Sequence, residues 1–136
     1  MKYKVPFVDF PTHYHRLESE IDAAIKEVLT GGDFILRRQL SEFENNVASF
    51  VGVDYAVGVN SGTDALHLSL LAAGVAPGDE VITVAHTFVA TLAVIVHCGA
   101  KPILVDVGGD FNMNMAQVES AISPRTKVIM PVHLNG

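Results

Sequence analysis

Val59-Asn60-Ser61-Gly62-Thr63-Asp64-Ala65-Leu66 decides how this chain is read. It leaves the short apolar run Tyr55-Ala56-Val57-Gly58-Val59, which reads as a strand, and opens an apolar helix expected over Ala65–Ala73. A strand passing into a helix through small polar residues brings unpaired backbone N–H groups to the strand end, where the helix dipole adds partial positive charge. Gly62 lets a ligand approach the backbone closely. The hydroxyls of Ser61 and Thr63 can donate to phosphate oxygens. The result is a phosphate cup without a lysine, matching neither G-x-x-x-x-G-K-[ST] nor G-x-G-x-x-G. The same residues also make an ordinary helix N-cap, because Ser, Thr and Asp all cap well.

Working outward, the same alternation repeats. Pro77-Gly78-Asp79 is a turn, Glu80–Val84 a strand and Phe88–His97 a helix. Lys101–Val107 reads as a strand, Met115–Ile122 as a helix and Lys127–Val132 as a strand. Strand–helix alternation is the mark of βαβ units with parallel strands under covering helices. The expected fold class is therefore α/β, with three layers and a mostly parallel sheet. Right-handed crossovers place all strand C-termini on one edge, and open α/β sheets bind ligands there.

Upstream, the period is helical. Leu17, Ile21, Ala24, Ile25 and Val28 recur at helix spacing from Tyr14 to Leu29, and Thr30-Gly31-Gly32 stops that run. A second helix is expected from about Arg38 to Val51, ended by Gly52. Pro6 and Pro11 read as holding residues 1–13 extended. The chain divides into an N-terminal helical segment, 1–52, and the front of a ligand-binding α/β domain, 53–136, together one incomplete domain. The last strand has no following helix to cover it, so the pattern reads as a cut through a larger domain.

Composition narrows the function classes. Nine basic and fifteen acidic residues give a net charge of −6 with no basic stripe, which argues against nucleic-acid and anionic-membrane partners. Charged residues are only 18% against about 25% in typical soluble domains, so strands are buried on both faces or some surface is meant to be covered. Cys98 is the single cysteine, which excludes an internal disulfide and reads as a buried thiol. No apolar run reaches the ~18 residues of a membrane span, and no signal-peptide core follows Met1. A cytoplasmic location is expected.

Other candidate residues follow strands and so belong to the same edge. Ala85-His86-Thr87-Phe88 offers an aromatic ring, Phe88, that can stack on a flat heterocycle, or can instead start a buried helix. His86 and His133 either face a ligand or are ordinary loop and structural histidines. Asp106 ends its strand beside Gly108-Gly109. None of His13, His15, His67 and His97 stands at metal-ligand spacing, and no metal site is expected.

Six strings in order now resemble a known family: Gly58–Leu66, Pro77–Thr83, Thr87–Thr91, Gly99–Pro102 with Val105–Val107, Ser123–Lys127, and Pro131–Gly136. Together they resemble the DegT/DnrJ/StrS sugar aminotransferases. The resemblance implies part of the large domain of a fold-type I pyridoxal-phosphate (PLP) enzyme, usually a homodimer. It implies transfer of an amino group, commonly from glutamate, to a keto sugar carried on a nucleotide. It places Ser61, Gly62, Thr63 and Asp64 at the cofactor phosphate and Phe88 over the pyridine ring. His86, His133, Asn135 and Arg37 are the candidate substrate contacts, Arg37 and Arg38 either meeting a nucleotide diphosphate or standing in solvent. Arg37 stands where the family usually has glycine. The family's Schiff-base lysine and ring-pairing aspartate fall beyond Gly136, so no catalytic residue is assigned within the chain, and these 136 residues alone are expected to be inactive. Some relatives use a histidine in place of the lysine and dehydrate the sugar. A non-catalytic sugar-nucleotide-binding or regulatory chain is a further alternative.

Overall fold

The computed structural model describes residues 5–32 and 34–134, in two compact units, residues 1–58 and 59–136. The N-terminal unit holds helices α1 (Phe10–Gly31) and α2 (Arg38–Val51). The second holds α3 (Gly62–Ala72), β1 (Glu80–Val84), α4 (Val89–His97), β2 (Lys101–Val105), α5 (Met115–Ala121) and β3 (Thr126–Ile129).

In the first unit, α1 starts earlier than the proline pattern suggests. Asp9 caps it, its carboxylate accepting from the Thr12 backbone N–H at 3.2 Å and the Thr12 hydroxyl at 2.6 Å. Pro11 is accommodated in the first turn, where a backbone N–H has no helical partner anyway. Arg38 pairs with Glu27 of α1 and, at 2.9 Å, with Glu42 of its own helix. Apart from Ala48, neither helix buries a residue. Leu17, Ile21, Ile25 and Leu29 form an apolar stripe that stays exposed along α1.

The expected strand over Tyr55–Val59 does not form. A strand needs a neighbour for its ladder, and here the Gly58 N–H is taken by the Glu44 carboxylate of α2 at 2.7 Å. Tyr55 and Val57 are exposed rather than packed. Gly58 is required at this crossing, since a Cβ there would stand 2.6 Å from Leu40 Cδ1.

In the second unit the sheet order is β2-β1-β3, all parallel. β1 is central and buried along its whole length, Val81, Ile82 and Val84 in the core and Glu80 and Thr83 with hydrogen-bond partners. Val81 joins Leu70 of α3 and Val94 and Ile95 of α4 on one face. Ile82 and Val84 meet Val105 and Val118 of α5 on the other. The three expected layers are therefore present. The chain moves from β1 to β2 through α4, then back past β1 to β3 through α5 on the opposite face. Reversing direction and face together is what a single crossover handedness demands.

Two strands are shorter than their sequence pattern. β2 stops at Val105 because the Asp106 N–H turns to Gln117 Oε1 of α5 at 2.7 Å, and Val107 forms an isolated antiparallel bridge with Met113. β3 stops at Ile129. The Met130 N–H still bonds the Ile82 carbonyl at 2.8 Å, but Pro131 has no N–H to continue. The buried Thr83 hydroxyl donates to the Met130 carbonyl at 2.9 Å and so carries the β1–β3 contact one step past the ladder. Cys98 is buried as a free thiol.

At the opposite edge, Glu80 is 4% exposed and accepts from the Ser123 hydroxyl at 2.6 Å and from Arg125 Nε and Nη2 at 3.0 and 2.8 Å. The Ser123 bond first, and then Arg125, hold the Glu80 carboxyl below the usual glutamate range. A carboxyl depressed by folding stabilises above its unfolded value, and the contribution is lost as pH falls through the folded value. Unfolding free energy should therefore drop as pH falls below about 5. Glu80→Gln should flatten that slope in denaturant titrations at several pH values; an unchanged slope would refute the assignment.

Candidate cofactor and substrate site

The site is built where helix α3 begins. Ser61 has extended backbone, and its Oγ accepts the Asp64 N–H at 3.1 Å. The same oxygen donates to the Asp64 carboxylate at 3.0 Å. The capping reading of Ser61 is therefore realised, and its hydroxyl proton is directed at Asp64 rather than outward. Ala65 N–H bonds the Ser61 carbonyl at 3.0 Å. The N–H groups of Gly62 and Thr63 remain as the outward donors of the first turn, with the Thr63 hydroxyl beside them. No atom lies within 4 Å of where a Gly62 Cβ would stand, so the backbone there is open to a ligand. Asp64 favours the helix dipole, but its carboxylate would repel a phosphate dianion. It serves the cup by holding Ser61 in place.

A cleft of about 550 Å³ opens from this turn. Gly62, Thr63 and Leu66 line one side; Phe88, Ala90 and Thr91 line the other, with Ser69 deeper along α3. Its size is that of a small-molecule site. Phe88 is 72% exposed, which removes the reading of it as a core residue. It stands at the N-cap of α4, with its ring on the wall of the cleft that contains the phosphate cup. A flat phosphorylated heterocycle needs both features, an anion cup and an apolar ring face. They occur here on one cleft.

The remaining edge residues divide. His86 is exposed after β1, and its ring lies 6.2 Å from that of Phe111, tilted at 59°. Phe111 has a left-handed backbone, φ 63°, uncommon for a bulky side chain, and lies on the loop after β2. The pair therefore spans the crevice between β1 and β2, whose connections leave to opposite faces, the switch point where α/β sheets take ligands. Phe111 and Thr91 were not singled out from the sequence; one sits in a loop without a motif, the other inside an apolar helix. Asp106 is exposed at the end of β2, its backbone held by Gln117 and by the Asn114 N–H at 2.9 Å. His133 is exposed beyond β3, and Asn135 lies outside the described residues. Arg37 belongs to the N-terminal unit. It occupies the N-cap position of α2 with φ −109°, so no glycine conformation is needed there. Lys101 opens β2 at the far edge of the sheet, and the Lys127 side chain lies 3.7 Å from where a Gly74 Cβ would be. Neither lysine reaches the cleft's end of the strands. Among the described residues no cluster of His, Cys, Asp or Glu could hold a metal ion, and no helix is long and apolar enough to cross a membrane.

The fold is that of a parallel α/β domain with a cleft at its strand ends, and residues 15–136 match the DegT/DnrJ/EryC1/StrS aminotransferase family, to which this chain belongs. It is 44% identical over 133 residues to a pleiotropic regulatory protein of Geobacillus stearothermophilus, covering 97% of this chain and 36% of that protein. It is 44% identical over 134 residues to dTDP-3-amino-3,4,6-trideoxy-alpha-D-glucose transaminase of Streptomyces venezuelae, covering 98% of this chain and 35% of that enzyme. The crystal structure of S. venezuelae DesV in complex with a ketimine intermediate superposes with a TM-score of 0.94 at 43% identity, over 99% of this chain and 37% of that one. The chain thus spans little more than a third of the length of these relatives.

Ser61→Ala should cost about 1 kcal/mol of stability, the usual value of a lost N-cap. Ser61→Thr, which keeps the hydroxyl that accepts from the Asp64 N–H and donates to its carboxylate, should cost less. Chemical denaturation of both variants checks this; an Ala variant as stable as the parent would mean that the Ser61 cap contributes nothing.

Proposed function

We propose that this chain forms the cofactor-binding front of a PLP-dependent aminotransferase that acts on a nucleotide-linked keto sugar in amino-sugar biosynthesis. The observation that carries the reading is the single cleft holding both the open α3 N-terminus at Gly62 and Thr63 and the exposed ring of Phe88. The S. venezuelae transaminase and the ketimine complex of DesV support it through their own chemistry. When bound, PLP supplies an electron sink for reaction at the substrate's amine-bearing carbon.

The chain's own residues do the holding. The Gly62 and Thr63 N–H groups and the Thr63 hydroxyl take the phosphate. Ser61 and Asp64 fix that turn. Phe88 covers one ring face and keeps water from it. His86 with Phe111, His133, Asn135 and Arg37 are the proposed substrate contacts, the amino donor being of the glutamate class. The nucleophilic lysine comes from sequence after Gly136, as the family resemblance implies. A histidine at that place would make the reaction a dehydration instead. The regulatory name of the G. stearothermophilus relative favours a second reading, in which the same cleft holds its ligand without turnover. The expected setting is a cytoplasmic homodimer, and the exposed stripe Leu17, Ile21, Ile25 and Leu29 is the kind of apolar surface that association covers.

Pyridoxal 5'-phosphate titrated into the full-length protein should bind, and Phe88→Ala should weaken binding by about 0.5–1.5 kcal/mol, the worth of an aromatic pair beyond its area. Folded full-length protein that fails to bind would end the reading. Binding without amino transfer to any nucleotide-linked keto sugar would favour the regulatory alternative. Light scattering of the full-length protein should give twice the monomer mass; a monomer at high concentration would contradict the homodimer.

A further inference from the structure

Thr91 is the only polar side chain in α4 ahead of His97, in a helix otherwise made of Val, Ala, Leu and Ile. It is 5% exposed, a place where valine would have the same shape. Its Oγ1 lies 2.8 Å from Oγ1 of Thr87, four residues earlier and half-buried. The two hydroxyls therefore bridge across Phe88, which stands between them in sequence. The backbone is pinned at the same point: the Thr87 N–H bonds the Ala85 carbonyl at 2.9 Å, and the Thr91 N–H bonds the Phe88 carbonyl at 3.1 Å. Phe88 itself has no side-chain capping bond, and nothing buries its ring. A ring this exposed has no packing to hold it, so its direction depends on the peptide that carries it.

We propose that the Thr87–Thr91 hydroxyl clamp sets the direction of Phe88 over the bound pyridine ring, and that Thr91 is a positioning residue for cofactor stacking. The inference rests on the PLP reading above and deepens it. A ring held in place loses less freedom when ligand arrives, so a clamp of this kind raises affinity through the ring it positions. Both hydroxyls act as one unit, so removing either should have the effect of removing both.

The test uses the full-length protein with pyridoxal 5'-phosphate as probe. Dissociation constant and visible circular dichroism of the bound cofactor are read for the parent protein, Thr91→Val, Thr87→Val, the double variant and Thr91→Ser. Thermal melting without cofactor monitors the fold. Thr91→Val and Thr87→Val should each weaken binding roughly 2- to 10-fold, the worth of one hydrogen bond. Each should also reduce the dichroic band. The double variant should be no worse than either single one, and Thr91→Ser should restore both readouts. If Thr91→Val lowers the melting temperature sharply, Thr87→Val, at a half-buried position, carries the same comparison. Parent-like affinity and dichroism in folded Thr91→Val and Thr87→Val would overturn the clamp, as would failure of Thr91→Ser to restore them. A folded parent protein that binds no PLP would instead sink the cofactor reading, and the clamp with it.

Discussion

Everything in the second unit hangs on the double parallel pairing of β1. This strand alone has neighbours on both sides and is covered on both faces, and its Val81, Ile82, Thr83 and Val84 are sealed from solvent. Parallel pairing forces the strands to point one way, so the loops after β1, β2 and β3 leave from one edge. The covering helices bury Val94 and Ile95 on one face and Val118 on the other. The chain's connection back past β1 opens the crevice that His86 and Phe111 span. The chemistry of the edge is thus a consequence of packing at the centre.

At that edge polar groups share the work by elimination. The hydroxyl of Ser61 is used twice within the helix's own first turn, as acceptor from the Asp64 N–H and donor to its carboxylate. This leaves the Gly62 and Thr63 N–H groups facing outward, on a turn already fixed by its own bonds. At the opposite edge, Glu80, Ser123 and Arg125 join the start of β1 to the turn before β3. One end of the sheet is locked by an ion pair, while the other keeps its donors free for a ligand.

The sequence was most legible where one period dominates. The strand Glu80–Val84 and the helix Arg38–Val51 match the structure residue for residue, because a short β-branched run bounded by turn residues and an uninterrupted 3.6 period leave few alternatives. It was least legible where a backbone group had two possible partners. Val57 and Val59 look like strand residues, yet the Gly58 amide bonds Glu44, fourteen residues away. Asp106 and Val107 look like a continuing β2, yet Gln117 captures the amide. Pro11 looks like a barrier, yet in the first turn its missing N–H is harmless. Of the cleft, Gly62, Thr63 and Phe88 could be singled out from strand-end position. Phe111 and Thr91 could not, since a left-handed phenylalanine and a hydroxyl aimed at a neighbouring side chain leave no periodic trace.

The sequence by itself determined the α/β class, the parallel order of strands and helices, the family, and the turn that opens α3 at the cleft. These follow from local rules: hydrophobic period, capping residues, and small residues where a backbone must be approached. Only the tertiary structure decided that Ser61 is spent on its own helix, that Phe88 stands in solvent rather than in the core, and that Thr87 and Thr91 meet across it. The reason is that a hydroxyl has several possible partners within its own turn. Propensity and period fix the backbone, whereas the partner of a hydroxyl or an amide is chosen by whatever group the folded geometry brings within about 3 Å.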